Sequence, residues 1–180
     1  VGLDHFARDD DPMVAALHAG SLHRNFMGYA TRPAPDMVGL GMSAIGDIAG
    51  SYIQNARDTK SYEATLDEGR LPVVRGLALT DEDLLRRAVI LSLMCRMRVD
   101  WDELERETGR GGLAAHFAPE WERLRPLAQR GFCTLDEGRL EVTPTGRLFL
   151  RHLAMVFDEH LTRRRASGEH AARRRGADRR

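Results

Sequence analysis

The sequence predicts a two-part protein of the α/β plus α class. Residues 1–79 are irregular and rich in glycine, with short apolar segments typical of buried strands. From Thr80 onward, apolar residues recur at helical spacing, interrupted by one hairpin pattern. We therefore expect a domain boundary between residues 79 and 80, and a mostly helical second domain over 80–162.

Composition bounds the class of protein. The chain has 180 residues, 42% of them hydrophobic and 30% charged, which indicates a soluble globular protein. A complete eight-stranded α/β barrel typically needs about 200 residues or more, so the chain is too short for one. We expect no secretory signal peptide, and the sequence has no apolar run of the about 18 residues that would span a membrane. Because the sequence opens on Val1 in mid-pattern, we expect a fragment of a longer protein.

The charges are divided unevenly along the chain. Lys+Arg and Asp+Glu both number 27, so the formal net charge is zero. Residues 163–180 nevertheless carry eight arginines against two acidic residues, a local excess of +6. We expect this segment to be a basic, disordered tail.

In the first part, local signals predict two helices. Asp10 or Asp11 before Pro12 marks a helix start, and Gly20 marks its end. A polar surface helix is expected over 58–68, followed by an extended connection over 71–79.

The segment from Met37 to Gly46 is the most informative one in the first part. It is short and apolar, and we expect a strand with glycine at positions 39 and 41. Glycine is kept inside a strand where another backbone or a ligand approaches closely, and tight strand packing is the alternative explanation. The segment lacks the lysine of a phosphate loop and the third glycine of a dinucleotide fingerprint.

The second part predicts a winged-helix-like module. Thr80 and Asp83 resemble a capping box at the start of a helix that reaches about Met97. Four further elements follow: helices over 100–108 and 119–130, a hairpin over 132–142, and a long last helix over 144–161 with Leu148, Leu150, Leu153, Ala154 and Phe157 on its apolar side.

Few residues suggest chemistry by themselves. Cys95 and Cys133 are expected to be buried reduced thiols, and two thiols cannot supply the three or four thiolates of an iron–sulfur cluster. His23 and Arg24 could donate hydrogen bonds to substrate carboxylates, or they could support a loop. Asp4, His5 and His23 could in principle bind a metal, but no ligand spacing supports this, and we predict no metal ligand in the chain.

A winged-helix outline also allows a function in nucleic-acid binding. The candidate recognition helix over 119–130 has mixed charge, with Trp121 expected to face inward, whereas recognition helices are basic. A self-standing interaction or nucleic-acid-binding module is therefore the alternative function. We expect no specific nucleic acid as partner.

Several segments together resemble one family, the oxygen-independent coproporphyrinogen III oxidases, which are radical S-adenosylmethionine enzymes of haem biosynthesis. The matching segments occur in family order and spacing across about residues 1–161: Gly2–Ala7, Leu22–Tyr29, Gly39–Ile45, Gln54–Asn55, Arg75–Thr80 and Val142–Arg147. The resemblance implies that residues 1–79 are the last segments of an incomplete (β/α) barrel. The helical domain would cover that barrel.

The resemblance also implies a reaction. A [4Fe–4S] cluster would reduce S-adenosylmethionine, and the resulting 5′-deoxyadenosyl radical would abstract hydrogen from the propionates on rings A and B of coproporphyrinogen III. Loss of carbon dioxide and an electron would leave the two vinyl groups of protoporphyrinogen IX. The cysteine loop that binds the cluster is absent from this chain, so we expect the chain alone to be inactive.

The resemblance assigns few residues. Ile45 matches a position that contacts S-adenosylmethionine in the family. Met27 matches a position near the cofactor where glutamine is expected, and methionine can still pack on the ligand. His23 and Arg24 are candidates for the substrate propionates by their chemistry, and no catalytic residue is assigned.

The remaining expectations concern the setting of the protein. The full-length enzyme would be a cytoplasmic monomer that does not associate with a membrane and receives electrons from a donor of unknown identity. A haem-binding relative that has lost catalysis is a third possibility.

Overall fold

The computed structural model describes residues 1–3, 5–34 and 36–166. They form two compact units, one over Asp9–Leu85 and one that contains Val1–Arg8 together with the chain from Arg86 onward. The division falls inside a helix, six residues after the boundary expected from the sequence. No helix among the described residues is both long and apolar enough to cross a membrane.

The unit over Asp9–Leu85 holds two small antiparallel sheets and two helices. Its elements in chain order are α1 (Pro12–His18), β1 (His23–Asn25), β2 (Gly28–Ala30), β3 (Ile45–Ile48), β4 (Ser51–Asn55), α2 (Thr59–Asp67) and β5 (Val73–Ala78). Strands β1 and β2 form a hairpin, and the other sheet has the order β3-β4-β5. Residues 71–79 were expected to be a connection, but most of them form β5, which pairs with β4 along its length.

Both helices of this unit start as the sequence predicts. The carboxylate of Asp11 accepts a hydrogen bond from the Met13 amide at 2.7 Å, with Pro12 in the first turn. The carboxylate of Asp58 accepts one from the Ser61 amide at 2.8 Å. Each cap satisfies a backbone donor that has no partner inside its helix.

The second unit is mostly helical. Its elements are α3 (Asp81–Arg96, which begins in the first unit), β6 (Arg98–Asp100), α4 (Trp101–Thr108), α5 (Leu113–His116), α6 (Ala118–Gln129), β7 (Cys133–Asp136), β8 (Arg139–Val142), α7 (Pro144–Arg147), α8 (Leu150–Ala154), a 3₁₀ turn (Met155–Phe157) and α9 (Glu159–Ala166). The predicted capping box at α3 is present, because Thr80 and Asp83 exchange hydrogen bonds between side chain and backbone. The predicted hairpin is β7–β8, and β6 joins it in the order β6-β8-β7.

The core of this unit is closed by aromatic and branched side chains. Phe117 is fully buried, and its ring stacks on Trp101 and meets Phe157 edge-on. Trp121 also contacts Trp101, with ring centroids 5.1 Å apart. Burial of this apolar area is the main stabilising contribution to the unit.

The prediction of a single long helix over 144–161 is wrong. The segment is divided into α7, α8, the 3₁₀ turn and α9. Phe149 leaves the helical path and its ring stacks on Phe132 at 4.5 Å. Asp158 is extended and caps α9 by accepting the Leu161 amide. As a consequence, Leu148 is 84% exposed, although helical spacing placed it on the buried side.

The predicted basic tail is described only in part. Helix α9 extends through Ala166, so the residues from 163 to 166 are helical. Residues 167–180 lie outside the described residues.

Candidate functional site

The glycine-rich segment is a loop rather than the strand expected from the sequence. Residues 37–44, hereafter the glycine loop, precede β3, which begins only at Ile45. Gly41 and Ser43 have φ values of 98° and 59°, which interrupt an extended backbone. The loop is closed at its start by a pair of hydrogen bonds between Met37 and Asp47.

The surroundings of Gly39 show that the group that approaches this glycine closely is the backbone of Ile45. A Cβ atom at this position would lie 2.7 Å from the carbonyl oxygen of Ile45, inside van der Waals contact. Glycine is therefore required because the loop backbone packs directly on the backbone of the first residue of β3. Gly41 has open space around it, and its requirement is conformational.

Asn55, at the end of β4, lies at the centre of the glycine loop. Its Nδ2 donates hydrogen bonds to the carbonyl oxygens of Gly39 and Gly41, both at 3.0 Å. Its backbone amide donates to Ala44 at 3.0 Å. The Tyr62 hydroxyl accepts the Gly41 amide at 3.0 Å, which ties the loop to α2. The sequence marked Gln54–Asn55 as a matching segment without giving Asn55 a role.

The register of the three-stranded sheet defines the face on which Ile45 lies. Ile45 pairs with Gln54, which pairs with Arg75, and the next row on the same side is Asp47, Tyr52 and Leu77. The opposite side carries Ile48 and Ile53. Ile45 is half-buried and lies at the end of its strand, beside the glycine loop.

The hairpin β1–β2 packs on the same face. The Phe26 ring, in the hairpin turn, meets the Tyr52 ring edge-on with centroids 4.9 Å apart. Met27, the next residue in that turn, is 87% exposed, and its amide donates to the Asn25 side chain at 2.8 Å. Ile45 and the turn that carries Met27 are thus associated with one face of the sheet.

His23 and Arg24 are adjacent residues of β1. Successive side chains of a strand point to opposite faces, so His23 and Arg24 cannot both bind the same carboxylate. Arg24 lies over the ring of its cross-strand partner Tyr29, with 5.4 Å from the guanidinium carbon to the ring centroid. The Arg24 Nε is buried and has no hydrogen-bond partner among the described residues. Arg24 is therefore the better placed of the two for an incoming anion.

Neither Cys95 nor Cys133 forms a disulfide, and both are buried. Burial raises the pKa of the Cys133 thiol. Among the residues that the structure describes, no three His, Cys, Asp or Glu side chains lie close enough to hold a metal ion. Of the three residues considered for a metal in the sequence, Asp4 lies outside the described residues.

Helix α6, the candidate recognition helix, has one acidic side chain buried in an ion pair with another helix. Glu120 is buried and accepts a hydrogen bond from Arg86 at 2.9 Å, and Arg86 also lies over the Phe117 ring. On the exposed side, Arg125 pairs with Glu122 at 2.7 Å. The sequence did not identify Glu120 as buried, because a glutamate at a helix start is usually solvated.

Known proteins resemble this chain in sequence and in structure. Residues 79–149 match the family model described as the HemN C-terminal domain. The chain is 42% identical to the oxygen-independent coproporphyrinogen III oxidase of Escherichia coli over 89% of its length, and 39% identical to that of Helicobacter pylori over the same share. It covers 35% of the length of each of these relatives.

A solved structure supports the same relationship. The coproporphyrinogen III oxidase (HemN) of Escherichia coli, described as a radical SAM enzyme, matches with a TM-score of 0.83 and 42% identity. The match covers 89% of this chain and 37% of that chain. By sequence and by fold, the chain is therefore similar to the oxygen-independent coproporphyrinogen III oxidases, about a third of whose length it spans, and residues 79–149 match the HemN C-terminal domain.

Proposed function

We propose that this chain is the C-terminal portion of an enzyme that converts two propionates of coproporphyrinogen III to the vinyl groups of protoporphyrinogen IX. The observation that carries the proposal is the 42% identity to the Escherichia coli enzyme over 161 residues, which are 89% of this chain. Within this enzyme, the chain contributes one wall of the S-adenosylmethionine site.

The described residues fit the two implied cofactors differently. They do not fit a [4Fe–4S] cluster, because two buried cysteines are too few and no three His, Cys, Asp or Glu side chains of the described residues form a metal-binding group. They do fit part of an S-adenosylmethionine site. At the start of β3, the half-buried Ile45 lies beside the backbone of Gly39, which carries no side chain. S-adenosylmethionine, when bound in such an enzyme, supplies the hydrogen-abstracting group of the reaction.

Each site residue has a distinct task in this proposal. Ile45 provides an apolar surface against the adenosyl part of the cofactor, where water is excluded. Met27 packs on the same ligand from the hairpin turn, and its thioether is well suited to an irregular contact. Arg24 binds a substrate propionate through its guanidinium, and His23 serves a second polar group from the other face of the hairpin.

The architecture of the whole enzyme is part of the proposal. Residues 1–79 complete the end of an incomplete barrel, and residues 80–162 form the winged-helix-like domain that covers it. Exposed apolar side chains in the unit over Asp9–Leu85, among them Leu40 and Leu71, favour this architecture. Monomeric soluble proteins rarely expose large apolar patches, so we expect other parts of the enzyme to cover these side chains. The full enzyme is a cytoplasmic monomer and takes electrons from a separate donor.

The test of the cofactor site uses two substitutions in one strand. In the cluster-loaded full-length enzyme that contains this sequence, Ile45→Asp places a charge in the apolar contact and should weaken S-adenosylmethionine binding at least about tenfold. The control is Ile48→Asp, which puts the same charge on the opposite face of β3 and should leave affinity within about twofold of wild type.

Equilibrium dialysis at fixed ionic strength measures both dissociation constants. Equal losses in the two variants would mean that only the fold of β3 was damaged. An unchanged affinity in Ile45→Asp would remove Ile45 from the site.

A further inference from the structure

We propose that Asn55 is a positioning residue of the S-adenosylmethionine site, which it shapes by holding the glycine loop against the backbone of Ile45. This inference rests on the proposed function, because it assigns to Asn55 the geometry of a site that Ile45 contacts. Asn55 itself is buried, 6% exposed, and its side-chain amide binds the backbone of the loop.

The glycine loop is wrapped around the Asn55 side chain. The two Nδ2 hydrogens reach two carbonyl groups of the loop, and the backbone amide reaches a third, so one residue holds the carbonyl groups of positions 39, 41 and 44. The loop has positive φ at Gly41 and Ser43 and lies outside the ladder of the sheet, because β3 begins only at Ile45. Asn55 supplies hydrogen-bond donors to its part-buried carbonyls.

Only an asparagine meets the requirement at this position. Two donors on one uncharged nitrogen, close to the backbone, are offered by the asparagine amide. Aspartate has the same shape but would place a carboxylate oxygen against two carbonyl oxygens. Alanine would remove the Asn55 donor from both carbonyls, leaving Gly41 with only the longer hydrogen bond from the Ala44 amide at 3.4 Å.

The link from Asn55 to Ile45 is steric. The Gly39 backbone, held by Asn55, packs so closely on the Ile45 carbonyl that a Cβ would lie 2.7 Å from its oxygen and 2.9 Å from its carbon. A loop released from Asn55 no longer fixes this contact at the start of β3. The Ile45 side chain then samples orientations other than the one that faces the ligand.

The test compares Asn55→Ala and Asn55→Asp in the cluster-loaded full-length enzyme. We expect Asn55→Ala to raise the dissociation constant for S-adenosylmethionine about tenfold, equivalent to about 1.4 kcal/mol. Asn55→Asp should raise it further. Leu22→Ala serves as control, because it removes a buried side chain of the same unit that lies outside the glycine loop.

Two readouts separate positioning from general destabilisation. Thermal denaturation places the variants on one stability scale, and amide exchange of residues 39–45 in the ligand-free enzyme reports the loop directly. Positioning by Asn55 requires faster exchange in this segment and weaker binding than in a Leu22→Ala variant of equal stability. Binding as tight as in that control would overturn the proposal.

The Ile45→Asp variant distinguishes the two failures. If Ile45→Asp weakens binding and Asn55→Ala does not, the positioning role is wrong and the site stands. If neither affects binding, the site itself is wrong.

Discussion

Gly146 lies in α7, directly against the carbonyl group of Phe132 at the start of the hairpin. A Cβ at position 146 would overlap the carbonyl oxygen of Phe132, far inside van der Waals contact. The atoms that a Cβ would meet belong to the Phe132 backbone. The Phe132 carbonyl oxygen also accepts a hydrogen bond from the Thr143 amide at 3.1 Å. Neither side of the contact can move without breaking a hydrogen bond.

We predict that Gly146→Ala destabilises the protein by about 3 kcal/mol or more, because the backbone of α7 must shift. The matched control is Gly111→Ala, whose Cβ would meet only the end of the Glu105 side chain at 3.9 Å. Urea denaturation of both variants measures the free energy of unfolding. Similar values for the two would contradict the steric argument.

Among single residues, the sequence identified two candidates for the site and gave no role to a third. Ile45 and Met27 were identified from matching segments, and the structure associates both with one face of a small sheet. Asn55 could not receive a role from the sequence, because its partners are backbone atoms of a loop whose path the sequence does not specify.

At the scale of elements, the helix starts were predictable because a cap involves neighbours in sequence. The cap of α2 offers a test. The Ser61 amide that donates to Asp58 lowers the pKa of this carboxyl below its ordinary value of 3.8. The stabilisation is therefore present above the unfolded-state pKa and is lost as the pH falls through the folded-state value.

We predict that wild type and Asp58→Asn differ in their pH dependence of thermal stability only in acid. Asparagine keeps a capping oxygen but does not titrate, so the stability advantage of wild type should diminish as the pH falls below about 4. Melting curves between pH 7 and pH 2.5 measure the difference. A constant difference over this range would show that the charge of Asp58 does not contribute to the cap.

Other elements were not predictable from local signals. Strand β6 has only three residues and is defined by pairing with β8, some forty positions later. The long terminal helix is interrupted because Phe149 stacks on Phe132 and Asp158 caps α9. In each case a tertiary contact outweighs the local helical spacing.

At the scale of the whole molecule, Arg86 joins parts of the second unit that are distant in sequence. Its guanidinium donates to Glu120 at 2.9 Å and to the carbonyl of Phe157 at 3.2 Å, and it lies over the Phe117 ring. Both charged side chains are largely buried, with exposures of 14% and 9%. Helix α3, helix α6 and the 3₁₀ turn thus share one charged contact.

We predict that Arg86→Met destabilises the protein by about 3–5 kcal/mol, because it leaves the buried Glu120 without its counter-charge. Glu120→Leu should destabilise it less, because Arg86 keeps Glu159 at 3.7 Å. The double variant should recover part of this loss. A double-mutant cycle in urea measures the coupling energy. Additive losses would mean that the two charges do not depend on each other.

The sequence by itself indicated the resemblance to the coproporphyrinogen III oxidases, the starts of α1 and α3, the β7–β8 hairpin and the identity of Ile45 and Met27 as residues of interest, because these depend on neighbouring residues or on motifs in order. Only the tertiary structure decided that the glycine-rich segment is a loop around Asn55, that the last helical segment is divided at Phe149, and that Glu120 is buried. These features depend on contacts between residues distant along the chain, which hydrophobic spacing and local propensity do not encode.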